Sequence, residues 1–181
     1  VVFLMVARLL RDKGVVEFAA AARIVRAAAP DAVFQLLGSL DAANRTAIDR
    51  DVVERWQSEG VLDYLGETTD VRSHLAAASV VVLPSYREGM PRALLEAAAM
   101  GRPLIATDVP GCTEIARAGE NALLCTVRDA RALADAMLAM LALSPAERAT
   151  MGTRSRAIAD AEFDVAVVEQ RYLDAIARAT P

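Results

Sequence analysis

Chemistry-bearing residues are scarce in this sequence. It holds one histidine, two cysteines and one tryptophan, and aromatic residues make up 4% of its 181 positions. His74, set between Ser73 and Leu75 in a helix-period segment, has no neighbour that would make it a catalytic triad member and reads as a packing or surface residue. Cys112 and Cys125 fall in neither a C-x-x-C nor a Cys/His metal spacing, so no metal site is expected and a reducing, cytoplasmic compartment is the default. Basic charge is also short: 20 basic against 24 acidic residues give a formal charge of −4. That speaks against a general nucleic-acid binder, which needs a basic surface to displace counterions. No apolar run reaches the roughly 18 residues of a membrane span. The opening Val1 to Ala7 is too short, and lacks the basic flank, for a signal peptide.

Hydrophobic residues account for 55% of the chain, enough for one α/β domain with a substantial core. Alanine clusters at 19–22, 27–29 and 97–99 favour closely packed helices. Strand-like runs alternate with helix-period segments. The expected strands are Val1 to Leu9, Val33 to Leu37, Leu62 to Leu65, Val80 to Leu83, Pro103 to Thr107 and Asn121 to Thr126. The expected helices are Val15 to Ala29, Ala43 to Ser58, Val71 to Ala78, Pro91 to Met100 and Gly111 to Ala118, followed by a helical tail from Arg131 to Arg178. On the first helix the apolar face is expected to run through Val16, Ala19, Ala20, Arg23, Ile24 and Ala27. In the tail, Phe163, Val167, Val168, Leu173 and Ile176 form a stripe for the domain's own sheet or for a partner. The βα rhythm predicts a Rossmann-like, doubly wound parallel sheet of about six strands with helices on both faces. Trp56, Met137 and Met140 read as core. The chain begins without methionine inside a strand-like run, which suggests an excised piece of a longer protein.

Such sheets bind ligands at the carboxyl ends of their strands. The candidate loops are therefore Arg8 to Gly14, Gly38 to Asp41, Gly66 to Asp70, Pro84 to Pro91 and Asp108 to Thr113. Pro91 suits the first helical position, and methionine at 90 cannot cap, so the amides of Arg92, Ala93 and Leu94 are left for a ligand such as phosphate. Glu88 precedes that helix and Glu96 lies one turn beyond Arg92, so the pair brackets whatever the amides hold. Two anions beside a phosphate are tolerable only if they reach neutral hydroxyls, which points to a ligand that is part phosphate and part polyol. The plainer alternative is a pair of solvated carboxylates favoured by the helix dipole. Arg8 and Lys13, after the first strand, could neutralise a diphosphate. A dinucleotide-dependent oxidoreductase is the competing class, but no G-x-G-x-x-G follows the first strand. Cys112 lies in the Pro110 to Glu114 turn, where a thiol is either reactive or a buried bystander.

The E-x7-E spacing of Glu88 and Glu96, the R-L-x-x-x-K-G run of Arg8, Leu9, Lys13 and Gly14, and the segment from Gly101 to Gly111 together resemble the C-terminal, donor-binding domain of family-four glycosyltransferases, of GT-B architecture. The resemblance covers nearly the whole chain. It implies one domain over residues 1–181 that is half of a GT-B fold, the N-terminal acceptor domain being absent. It implies that Glu88 contacts the hydroxyls of the transferred sugar, Glu96 the ribose, and Arg8 and Lys13 the diphosphate. Thr68 would meet the base, and Gly89, Met90, Arg92 and Ala93 the sugar and phosphate. Pro91 departs from the pattern, because many members carry glycine there and proline offers no N–H. The implied activity is retaining hexosyl transfer from a nucleotide sugar to a glycan or lipid-linked acceptor, without a metal or other cofactor. A UDP-sugar is favoured and GDP-mannose is the alternative. Catalysis would need both halves, leaving room for peripheral association with the inner face of a membrane through the absent one. A non-catalytic nucleotide-binding or interaction domain of the same fold is the remaining alternative.

Overall fold

Valine, isoleucine and leucine fill the central strands on both faces. Val80, Val81, Val82 and Leu83 are all buried, as are Leu104, Ile105 and Ala106, which is what a sheet covered on both sides requires. The computed structural model describes residues 1–40 and 43–179. Its strands are β1 (Val2–Val6), β2 (Val33–Leu37), β3 (Asp63–Tyr64), β4 (Val80–Leu83), β5 (Leu104–Thr107) and β6 (Ala122–Cys125). They form one parallel sheet in the order β3-β2-β1-β4-β5-β6. The helices are α1 (Val15–Ala28), α2 (Arg50–Ser58), α3 (Arg72–Ala77), α4 (Arg92–Ala99), α5 (Ala130–Ala142), α6 (Pro145–Ile158) and α7 (Val165–Ala179). The expected doubly wound α/β fold with a helical tail is thus the observed one.

Side chains alternate across the sheet and divide the core in two. Phe3 and Met5 join Phe18, Phe34, Trp56, Met137 and Met140 on the face covered by α1, α2 and α5. Leu4 joins Leu75, Leu94, Ala97 and Ala98 on the face covered by α3 and α4. The few aromatics are concentrated in the first layer, where Phe34 stacks on Phe3 at 5.4 Å and meets Phe18 edge-on at 6.1 Å, a geometry that adds to the area buried. From β1 the chain winds outward to β3, then returns to set β4 beside β1. The chain therefore leaves β1 and β4 toward opposite faces of the sheet, to α1 on one and α4 on the other, and this switch point sets a crevice at the strand ends.

Several expected elements differ. On α1 the buried residues are Val15, Phe18, Ala19, Ala21, Ala22 and Val25, while Arg23 and Ala27 are exposed; the run of alanines offers no contrast from which to read the face. The helix expected from Ala43 begins only at Arg50. Residues 44–48 instead follow the loop after β1, with Arg11 N donating to Thr46 O, Ile48 N to Leu9 O, and an Asx turn from Asn44 to Thr46. Gly111 to Ala118 is a string of turns and not a helix. Buried Asn121 takes its backbone groups, accepting from Arg117 N at 2.7 Å and donating to Ile115 O at 3.0 Å. Trp56, Met137 and Met140 are core, as read. The tail stripe divides: Phe163 packs against the core on the α3 and α4 face, whereas Leu173 and Ile176 on α7 are each more than half exposed and do not lie on the domain's own sheet.

Candidate functional site

Two loops are built to meet at the crevice. After β1 the chain makes a 3₁₀ turn at Arg11–Lys13 that closes on Gly14, where φ is 77°. A Cβ on Gly14 would stand 2.1 Å from the Pro84 carbonyl oxygen, so only glycine lets this turn press against the loop after β4. Tyr86 N donates to Asp12 O at 2.9 Å and ties the two loops by their backbones.

That approach brings Lys13 Nζ to 2.6 Å from Glu88 Oε1. Ser85 Oγ donates to the same carboxylate oxygen at 2.7 Å. Ser85 is itself held by Thr107, whose hydroxyl donates to the Ser85 carbonyl at 2.5 Å. Ser85 and Thr107 are both buried, so the carboxylate is fixed from below by a chain of satisfied polar groups. Glu88 Oε2 makes no hydrogen bond among the described residues. Gly111, with φ of 83°, backs the loop from β5, and a Cβ there would fall 2.5 Å from the carbonyl oxygens of both Glu88 and Gly89.

A cleft of about 400 Å³ lies above this pair, and Arg8, Lys13, Glu88, Met90, Arg92 and Ala93 contribute to its walls. The sequence placed the start of the adjoining helix at Pro91; the structure starts α4 at Arg92, with Pro91 as an extended flanking residue and no side-chain cap. Leu94 N donates to Pro91 O at 3.0 Å, so its amide is engaged. Only the amides of Arg92 and Ala93 remain without an acceptor among the described residues. They point a positive helix end into the cleft.

Glu96 and Thr68 stand apart from this cleft. Glu96 accepts from Arg92 Nη2 at 3.3 Å on the outside of α4 and lines the next hollow along, with Asp70, Val71 and Leu75. Thr68 closes an exposed turn, accepting from Asp70 N at 3.1 Å and donating to Asp70 O at 3.2 Å. The expected Gly38 to Asp41 loop runs into residues outside the described set. Among the described residues no cluster of histidine, cysteine and carboxylate groups is suited to a metal ion, and no helix is long and apolar enough to cross a membrane.

Sequence reading missed Ser85, Thr107, Asp12 and Tyr86. A buried hydroxyl at the end of the otherwise apolar Leu104–Thr107 run was the available signal for Thr107. Tyr86 donates to Glu17 Oε1 at 2.8 Å and lies under the Arg128 guanidinium at 4.6 Å. Burial, then the bond to Glu17 and its charge, push the phenol up to about 12. Cys112 is buried, and burial together with the Glu88 charge pushes its thiol up to about 11. It is an inert packing residue, not a reactive thiol.

With this geometry in view, the comparisons with known proteins are specific. Residues 1–142 match the family described as glycosyl transferases group 1. The chain belongs to that family. The N,N'-diacetylbacillosaminyl-diphospho-undecaprenol alpha-1,3-N-acetylgalactosaminyltransferase of Campylobacter jejuni is 31% identical over 173 residues, 95% of this chain and 43% of that protein. An Escherichia coli UDP-Gal:alpha-D-GlcNAc-diphosphoundecaprenol alpha-1,3-galactosyltransferase is 36% identical over 116 residues, 61% of this chain and 28% of that protein. Among solved structures, sucrose-phosphate synthase from Thermosynechococcus elongatus superposes with a TM-score of 0.81 at 29% identity, covering 99% of this chain and 46% of that one. The fold is that of one half of a GT-B glycosyltransferase, and the chain spans less than half the length of these relatives.

Proposed function

We propose that this chain is the donor-binding half of a retaining hexosyltransferase that takes a nucleotide sugar, with a uridine nucleotide favoured. The observation that carries the reading is the Lys13–Glu88 pair beneath the two unbonded amides of Arg92 and Ala93. The amides and the α4 dipole would take one phosphate, and the Lys13 ammonium and Arg8 guanidinium the rest of the diphosphate. Glu88 Oε2 would accept from a hydroxyl of the sugar, an orientation that Ser85 and Lys13 already impose. Glu96 would turn from Arg92 to the ribose hydroxyls. As the glycosidic bond to the diphosphate breaks, negative charge grows on the departing oxygen, and Lys13, Arg8 and the α4 amides stabilise it without reorganising. No metal enters this scheme.

The names of the two curated relatives support a lipid-linked diphosphate acceptor, and that of the Escherichia coli relative supports a UDP-sugar. The acceptor would be held by the other half of the protein, to which the apolar stripe of α7 would be offered. Calorimetric titration of the chain with UDP, GDP and their sugars tests the reading. UDP and a UDP-hexose should bind with 1:1 stoichiometry. A folded sample that binds none of these ligands removes the proposal.

A further inference from the structure

At the opposite end of the sheet, away from the donor cleft, lies a second hollow. It has a volume of about 560 Å³ and is framed by Ser79 and Pro103, the residues just before β4 and β5, and by the start of α6. Arg102, Arg148 and Arg156 all line it, and no acidic residue does. In a chain with a formal charge of −4 this is a local concentration of positive charge.

Each guanidinium is fixed by backbone carbonyls at helix ends. Arg102 donates through Nε to Met100 O at 3.1 Å and through Nη1 to Ala78 O at 3.0 Å. Arg148 donates through Nη1 to Met140 O at 3.1 Å and also to Leu143 O. Arg156 donates through Nη1 to Ala99 O at 2.9 Å, and its Nε pairs with Asp160 at 2.8 Å. The Nη2 groups of all three make no hydrogen bond among the described residues, and only Arg156 has a carboxylate partner. Capping helix ends accounts for the bonds that are made. It does not account for three guanidinium groups with unspent donors around one hollow that no acidic residue lines. The walls are also held rigidly: a Cβ on Gly152 of α6 would lie 2.2 Å from Gly101 O, so α6 sits directly on the turn that carries Arg102.

We propose that this hollow is a second anion site, distinct from the donor cleft, that takes a phosphate or diphosphate group through the Nη2 donors of Arg102, Arg148 and Arg156. Bidentate guanidinium recognition suits phosphoryl oxygens. Free ligands and lipid headgroups both carry such a group, and the two sources are separable by experiment.

The test uses an Arg8→Ala/Lys13→Ala background, which strips the donor cleft of both cations proposed to hold the diphosphate, and follows the Nε–Hε and backbone amide signals of Arg102, Arg148 and Arg156 by NMR as inorganic diphosphate is added. The expected result is a saturable shift of the Arg102, Arg148 and Arg156 signals with one common affinity, weakening as salt is raised. Arg148→Gln should weaken it about tenfold, the scale of one charge-assisted hydrogen bond. A parallel arm sediments the protein with vesicles of phosphatidylcholine containing phosphatidic acid. Pelleting that needs Arg148 assigns the phosphate to a headgroup, and diphosphate binding without pelleting assigns it to a free ligand. Should Arg148→Gln not fold, the side-chain shifts in the parent background decide alone. Shifts that are absent, or that rise linearly without saturation, together with no Arg148-dependent pelleting, overturn the proposal. Because donor binding is not read in this assay, the result stands whatever the fate of the nucleotide-sugar reading.

Discussion

Ser85 and Lys13 reach the same oxygen of Glu88, at 2.7 Å and 2.6 Å, from two loops that leave neighbouring strands. The carboxylate is thereby held in one orientation before any ligand arrives. Ser85→Ala removes one of the two restraints. In a full-length protein with the proposed activity, transfer should fall about tenfold, the worth of one charged hydrogen bond, and Ser85→Thr should restore part of it. Steady-state rates with the unfolding midpoint measured alongside separate this from simple destabilisation.

The proposed division of labour makes Lys13 and Glu88 distinguishable by ligand. Lys13→Ala should weaken both UDP and UDP-hexose by about tenfold or more. Glu88→Gln should leave UDP affinity within a few-fold while costing most of the extra affinity contributed by the sugar. Equal losses for both ligands in Glu88→Gln would contradict the sugar contact.

Gly111→Ala should be among the costliest single changes in the molecule. A methyl group would fall 2.5 Å from two backbone carbonyl oxygens, at a φ of 83°, and the loop bearing Glu88 would have to move. A loss of about 2 kcal/mol or more is expected in urea denaturation, with nucleotide affinity falling as well.

The two thiols should resist alkylation at pH 8 in the native state and react once the chain is unfolded. Cys112 and Cys125 are pushed from 9.0 to about 11 and about 12, in each case chiefly by burial, and the thiolate is the reactive form. The folded state holds these protons more tightly than the unfolded one. Their contribution to stability is therefore complete below about pH 9 and is lost as pH rises from there through about 11 to 12. Tyr86, raised from 10.0 to about 12, acts in the same direction. An alkaline limb in the stability profile between pH 9 and 12 is the expected signature.

Much of the architecture is legible in the sequence because Val80 to Leu83 and Leu104 to Ala106 are continuous apolar runs too short to be helices, and glycines mark where strands and helices stop. The site is half legible. Glu88, Lys13, Arg8 and the α4 start declare themselves through spacing and charge, whereas the Ser85–Thr107 bond joins residues 22 apart and leaves no local pattern. Three misreadings share a cause, namely a side-chain or loop contact that overrides the backbone's local preference. Asn121 unwinds Gly111 to Ala118, the β1 loop captures residues 44–48, and Phe18 turns α1 by about one residue against an alanine background that cannot signal its own face.

The return of β4 to the side of β1 also sets when the site can exist. Lys13 and Glu88 are 75 residues apart, and between them the chain must complete two outward βα units before the central pairing closes. A nascent or partly folded chain with β2 and β3 in place still has no cleft, because closing so long a loop comes late in assembly. The proposed nucleotide affinity would therefore report completed sheet formation, and a ligand of the cleft would act on folding only after the β1–β4 pairing has formed.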